Sequence, residues 1–213
     1  MPSTACVVLI LAVLAAPAGA AESLPNAIFL VAKREMGDPR FRETVVLVTQ
    51  PGQGGPFGVI INKPLQHRLA DVFPDLGTLK GRDDVVYFGG PVVPRGLFVL
   101  LRAEKMPLQA VRVLKDVFFS GDPEVIDGLL QRDEPTRGLR VYAGYSGWAP
   151  GQLQNELARG DWYVMPADAE TVFEKPSTGI WPELLERAST KHANTREGGR
   201  AGERDFPSPD LAL

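Results

Sequence analysis

"GYSGWAPGQLQNELARGDW", Gly144–Trp162, decides how the chain is read. It runs from a strand end through a glycine-rich turn and a short helix into the start of another strand. The strand leading in is "GLRVYAG" (Gly138 to Gly144), and "DWYVMPA" (Asp161 to Ala167) resumes extended structure. Between them, Pro150 suits the first turn of a helix, where its missing N–H has no intrahelical partner, and Gly160 suits a left-handed stop after Arg159. Leu153 and Leu157 lie one turn apart and give the helix an apolar stripe to dock on a sheet. Trp148 and Trp162 bracket it and are expected to cover its two ends, each burying on the order of 200 Å². The alternative is an aromatic-lined groove in which Gln152 or Glu156 faces a ligand.

Two catalytic readings of this stretch fail on spacing. A nucleophile elbow needs glycines two residues either side of its serine; Gly144 fits Ser146, but the other position is Trp148. The only histidines are His67 and His192, the second in a polar C-terminal segment. An esterase-like hydrolase using Ser146 is the alternative to non-catalytic binding, and it requires His67 or a carboxylate within hydrogen-bond reach of the hydroxyl. A phosphate cradle lacks both the Walker spacing with its lysine and the G-x-G-x-x-G pattern.

Working outward, "AIFLVA" (Ala27 to Ala32), "TVVLVT" (Thr44 to Thr49) and "FGVIIN" (Phe57 to Asn62) read as buried strands. "VVYFGG", "LFVLLRA" and "VRVLKDVFFS" (Val111 to Ser120) add three more. "DPEVIDGLLQRD" is a helix with Asp122 as N-cap, Pro123 at the first position, and Val125, Ile126, Leu129 and Leu130 on one face. Shorter helical pieces are predicted at "HRLADVF", "DAETVFE" and "GIWPELLERA". With 19 prolines and 22 glycines, many short elements joined by tight turns are expected, and strand outnumbers helix.

The N-terminal run "MPSTACVVLILAVLAAPAGAAES" reads as a signal peptide, residues 1–20, with cleavage after Ala18-Gly19-Ala20 and a periplasmic or secreted product. No lysine or arginine precedes its apolar run, so a misassigned start codon and a cytoplasmic product form the alternative. Cys6, the single cysteine, lies inside this segment, leaving the remainder without disulfide or thiolate metal chemistry. The following ~190 residues suit one domain, 26–188, with 44% hydrophobic residues in the whole chain supplying its core. From Ser189 the chain turns polar and glycine-rich, and a disordered tail, 189–213, is expected. A net charge of −3, from 26 acids and 23 bases, offers no basic stripe for nucleic acid. No metal-ligand spacing, no cofactor motif and no later membrane-length apolar run is visible.

Four motifs in order, "DPRFRETVVLV" (Asp38 to Val48), "GVIINKPL" (Gly58 to Leu65), "VYFGGPV" (Val86 to Val92) and "GWAPGQLQNELARGDW" (Gly147 to Trp162), resemble those of the YqgE/AlgH family of largely uncharacterised bacterial proteins. The resemblance implies an α+β fold: one compact domain of bent, coiled, mainly antiparallel sheets with a few short helices. It supplies no catalytic set. The family's usual carboxylate after Gln-Leu is Gln154 here. Its usual histidine after the second strand is replaced at or beside Gln50, and that near "LFVLL" by Leu101 or Arg102.

The expected activity is binding of a protein or small-molecule partner without turnover, in an exported protein; a cytosolic transcription-related regulator is the reading if the signal is not real. The site is sought where Asp38, Arg40, Asn62, Gly89, Gly90, Trp148 and Gln152 converge, because such polar and glycine-rich turns let a backbone meet a ligand. Asn62, ahead of Lys63-Pro64, has a structural alternative in bridging a turn through its amide.

Overall fold

A computed structural model describes residues 27–50 and 55–201, with 192–201 described by their backbone alone. Residues 1–26, where a signal peptide is expected, the tip of the "QPGQGGP" loop and the chain from 202 onward lie outside the described residues. Among the described residues ten strands are formed: β1 (Ile28–Ala32), β2 (Val45–Thr49), β3 (Phe57–Ile60), β4 (Pro64–Arg68), β5 (Val85–Phe88), β6 (Val92–Arg102), β7 (Val111–Leu114), β8 (Val117–Ser120), β9 (Leu139–Gly147) and β10 (Trp162–Pro166). The helices are α1 (Leu69–Val72), α2 (Pro123–Leu130), α3 (Gln152–Arg159), α4 (Ala169–Phe173) and α5 (Ser177–Ala201), with a 3₁₀ turn at Gly77–Leu79. This is the α+β architecture expected from the resemblance.

The strands join in the order β10-β1-β2-β3-β9-β6-β8-β7, all antiparallel, with β5 added parallel to β9 and β4 antiparallel to β5. β9 is the branch point. Its C-terminal end pairs β3 through Phe57↔Gly147 and Gly58↔Ser146, while its middle pairs β5 through Tyr87↔Tyr142.

The apolar runs of β1 and β2 have a simple cause. One set of side chains, Phe29, Val31, Val45 and Leu47, enters a core shared with Val172 of α4 and Ile180 and Leu184 of α5. The alternate set, Leu30, Ala32, Val46 and Val48, enters a second core with Trp148, Leu153 and Trp162. Strands covered on both faces lose the polar alternation of a half-exposed sheet. β6 and β9 divide in the same way, with Leu100 and Tyr142 in the shared core and Val99, Leu101 and Val141 facing Ile126 and Leu130 of α2. The curled sheet therefore has one face on a common core and the other on two separate ones.

Several elements depart from the sequence reading. "VRVLKDVFFS" is a hairpin of two strands turning at Lys115 and Asp116. β4 carries no apolar pattern because four of its five residues are exposed. α3 begins at Gln152 with Gly151 as its N-cap, so Pro150 sits in the preceding turn and not in the helix. The segment from Ser189, expected as disordered, continues α5 to Ala201. Extending a helix already docked by Ile180, Leu184 and Leu185 adds one backbone bond per residue without a new nucleus. Asp122 does cap α2, accepting from the N–H groups of Glu124 and Val125.

Asn62 is a buried bridge. Its Oδ1 accepts from Val45 N at 2.8 Å and its Nδ2 donates to Glu43 O at 2.9 Å, fixing the entry to β2. Asn62→Ala strands both backbone groups and is expected to lower the unfolding free energy by about 1–3 kcal/mol in urea titration.

Candidate functional site

The site is built by the end of β9, the turn that follows it, and α3. Trp148 N donates to Pro56 O at 3.1 Å, fixing the strand exit. The turn closes through Gln152 N to Ala149 O at 3.0 Å, and the Gln152 side chain returns the favour by accepting from Ala149 N at 3.1 Å. Gly160, at φ 81°, ends the helix as its left-handed C-cap, and β10 starts two residues later at Trp162.

This geometry brings both indoles to one carboxylate. The Nε1 groups of Trp148 and Trp162 each donate to Glu156 Oε2 at 2.9 Å, and Gln152 Nε2 donates to Glu156 Oε1 at 2.9 Å. Trp148 is 7% and Trp162 5% exposed, so their N–H groups have little access to water and need this acceptor. The expectation that the tryptophans cover the helix ends holds; the hub, Glu156, is what binds them together. Its signal in the sequence is the spacing Trp148, Gln152, Glu156, which falls on one side of a helix and the turn before it.

A cleft of about 530 Å³ opens beside these residues and is lined by Asp38 and Arg40 as well. The Arg40 guanidinium contacts Asp38 through Nη2–Oδ2 at 2.6 Å and Nε–Oδ1 at 3.0 Å. Hydrogen bonding from Arg40 holds the Asp38 carboxyl below the usual carboxylate range. Its contribution to stability is thus present above the unfolded pKa and is lost as pH falls through the folded one; exposure of both groups keeps it small. Arg159 pairs with Asp161 at 2.7 Å on the rim, and Phe41 meets the Trp162 ring edge-on at 5.7 Å between centroids.

Of the residues singled out in the sequence, Asp38, Arg40, Trp148 and Gln152 line this cleft. Asn62, Gly89 and Gly90 do not. Asn62 is committed to the β2 entry. The two glycines permit close backbone approach: a Cβ on Gly89 would stand 2.2 Å from Gly144 O, and one on Gly90 2.4 Å from Ser146 Oγ. Ser146 is 1% exposed and donates to Gly89 O at 3.1 Å, so its hydrogen goes to a backbone carbonyl and not to a base. His67 lies exposed on β4.

A second pocket, about 590 Å³, lies across Trp148 and shares Val92 and Gly147 with the cleft. Phe57, Phe98, Phe119 and Tyr145 form it, with Phe98 and Phe119 stacked at 5.4 Å. A third, lined by Arg82, Tyr87, Thr136 and Arg140, contains none of the residues expected from the sequence. Among the described residues there is no cluster of three or more metal-ligating side chains, and no helix is long and apolar enough to cross a membrane.

The sequence profile of the AlgH-like family matches residues 29–193. A UPF0301 protein of Rhodococcus opacus is 36% identical over 167 residues, covering 74% of this chain and 80% of that one. A UPF0301 protein of Mycobacterium tuberculosis is 31% identical over 179 residues, covering 80% and 85%. Among solved structures, that of the AlgH protein from Pseudomonas aeruginosa superposes with a TM-score of 0.64 at 27% identity, covering 78% of this chain and 89% of that one. A crystal structure of a Corynebacterium diphtheriae protein gives 0.60 at 26%, covering 78% and 87%. With the profile spanning the fold from β1 into α5, the chain belongs to the YqgE/AlgH family.

Proposed function

We propose that this protein is an exported, non-catalytic binding protein that holds a small ligand, or a side chain of a partner, in the cleft between Asp38–Arg40 and Trp148–Glu156–Trp162. The observation that carries this reading is the meeting of two indoles, two ion pairs and a bonded carboxylate in one concavity. Any regulatory role runs through occupancy of that cleft. The commitment of the buried Ser146 hydroxyl to the Gly89 carbonyl weighs against the hydrolase alternative. Export rests on the N-terminal apolar run and its small-residue cleavage site.

The test has two arms. In a cell fractionation with mass spectrometry of the N-terminus, the protein is expected outside the cytoplasm and processed after Ala20; a cytoplasmic product retaining Met1 overturns export. With ¹⁵N-labelled protein and a mixed library of cationic, neutral and anionic fragments, at least one fragment is expected to move the Trp148 and Trp162 indole signals saturably. A library that leaves both signals in place overturns the binding role of the cleft.

A further inference from the structure

The charges of the cleft do not balance. Five charged side chains line it, and Arg40 is paired with Asp38 and Arg159 with Asp161. Glu156 is the fifth, and its partners are all neutral: two indole N–H groups and one amide. Among the described residues no cation forms an ion pair with it. A carboxylate offers about four acceptor sites, of which three are filled here. Glu156 therefore stands half-buried, without an ion-pair partner among the described residues and with one acceptor position unused. A cation gains most in such a place, because low-dielectric walls strengthen its attraction to the carboxylate, and aromatic rings favour positive over negative charge.

The aromatic pocket across Trp148 adds a second requirement. Its lining contains no charged side chain, and it adjoins the cleft at Val92, Gly147 and Trp148. A ligand that satisfies both halves is positive at one end and apolar at the other.

We infer that the cleft recognises a small organic amine or guanidine, its cationic head set against Glu156 and its aromatic or apolar group in the pocket formed by Phe57, Phe98, Phe119 and Tyr145. This rests on the cleft being a binding site and names the chemistry of what it binds. Gln152, exposed at the rim, orients the carboxylate by donating to Oε1.

The test follows the three indole N–H signals of the ¹⁵N-labelled protein during titration with phenethylamine. Trp148 and Trp162 report on Glu156, whereas Trp181 donates to Ala32 O at 2.8 Å and packs against the opposite core, so it serves as an internal control. Phenethylamine is expected to move the first two signals saturably and leave the third. Its uncharged counterpart 2-phenylethanol is expected to bind at least about tenfold more weakly, and Glu156→Gln to weaken phenethylamine by about tenfold or more. The comparison of the two ligands uses the parent protein alone, and decides the matter if Glu156→Gln does not fold. Equal response to 2-phenylethanol, or full affinity in Glu156→Gln, overturns the inference. If a neutral or anionic fragment moves the Trp148 and Trp162 signals while phenethylamine does not, the cationic chemistry is wrong and the cleft remains a binding site. Silence from every fragment defeats both.

Discussion

Replacement of Glu156 by alanine is expected to lower the unfolding free energy by about 2–5 kcal/mol, far beyond the usual effect of losing a helix-surface carboxylate. The reason is that one side chain satisfies three donors, two of them on indoles that are 7% and 5% exposed. Truncation leaves both Nε1–H groups without an acceptor, and each such loss costs about 1–3 kcal/mol. Glu156→Gln keeps one acceptor oxygen and is expected to lose less than the alanine variant. Denaturant midpoints of the two variants and the parent, compared at equal slope, check this ordering.

The second large effect is expected at Gly144, in the turn-bearing stretch that identifies the fold. Gly144 has φ +70°, and a Cβ there would stand 2.4 Å from Gly90 O and 2.9 Å from Val92 O. Left-handed backbone costs a side-chain-bearing residue about 1–2 kcal/mol, and overpacking against a neighbour typically adds about 1–3 kcal/mol. Gly144→Ala is thus expected to lose about 2–5 kcal/mol, a large part of the ~5–15 kcal/mol that holds a typical domain together. Gly151 provides the contrast: its φ is +79°, yet nothing stands within 4 Å of its Cβ position. Gly151→Ala is expected to cost only about 1–2 kcal/mol, the backbone part alone. Equal losses at the two positions in thermal or urea unfolding would show that crowding around Gly144 is not the cause.

How much of this is legible without coordinates depends on whether the signal is local. "IFLVA" and "VVLVT" declare themselves as buried strands because both faces are covered, leaving only apolar side chains to read. β4, "PLQHR", has the composition of a loop because it is an exposed edge strand whose place is set by pairing with β5. The β7–β8 hairpin is invisible because Lys115 and Asp116 are not the Asn-Gly or Asp-Gly pair that marks a tight turn.

The site divides in the same manner. Trp148 and Gln152 could be singled out because their turn and helix are local, and Asn62 bridges a turn as its structural alternative requires. That Asp38 and Arg40 face them follows from β1 pairing β10 through Ala32↔Trp162, which sets the connection after β1 beside the start of β10. Gly89 and Gly90 draw attention for the right physical reason, close approach, but what approaches is the chain's own β9 and not a ligand. Glu156, named in the sequence only as an alternative to Gln152 at the groove, shows itself as the hub once both indole N–H groups are seen to converge on it.

Solvent exchange of the three indole Nε1–H protons tests most directly whether Glu156 holds both tryptophans as one unit. In the parent protein Trp148 and Trp162 are predicted to be protected together, and in Glu156→Ala both are predicted to exchange faster while Trp181, bonded to Ala32 O, stays unchanged. Protection of Trp148 and Trp162 that survives the loss of the carboxylate, or that was absent in the parent, would contradict it.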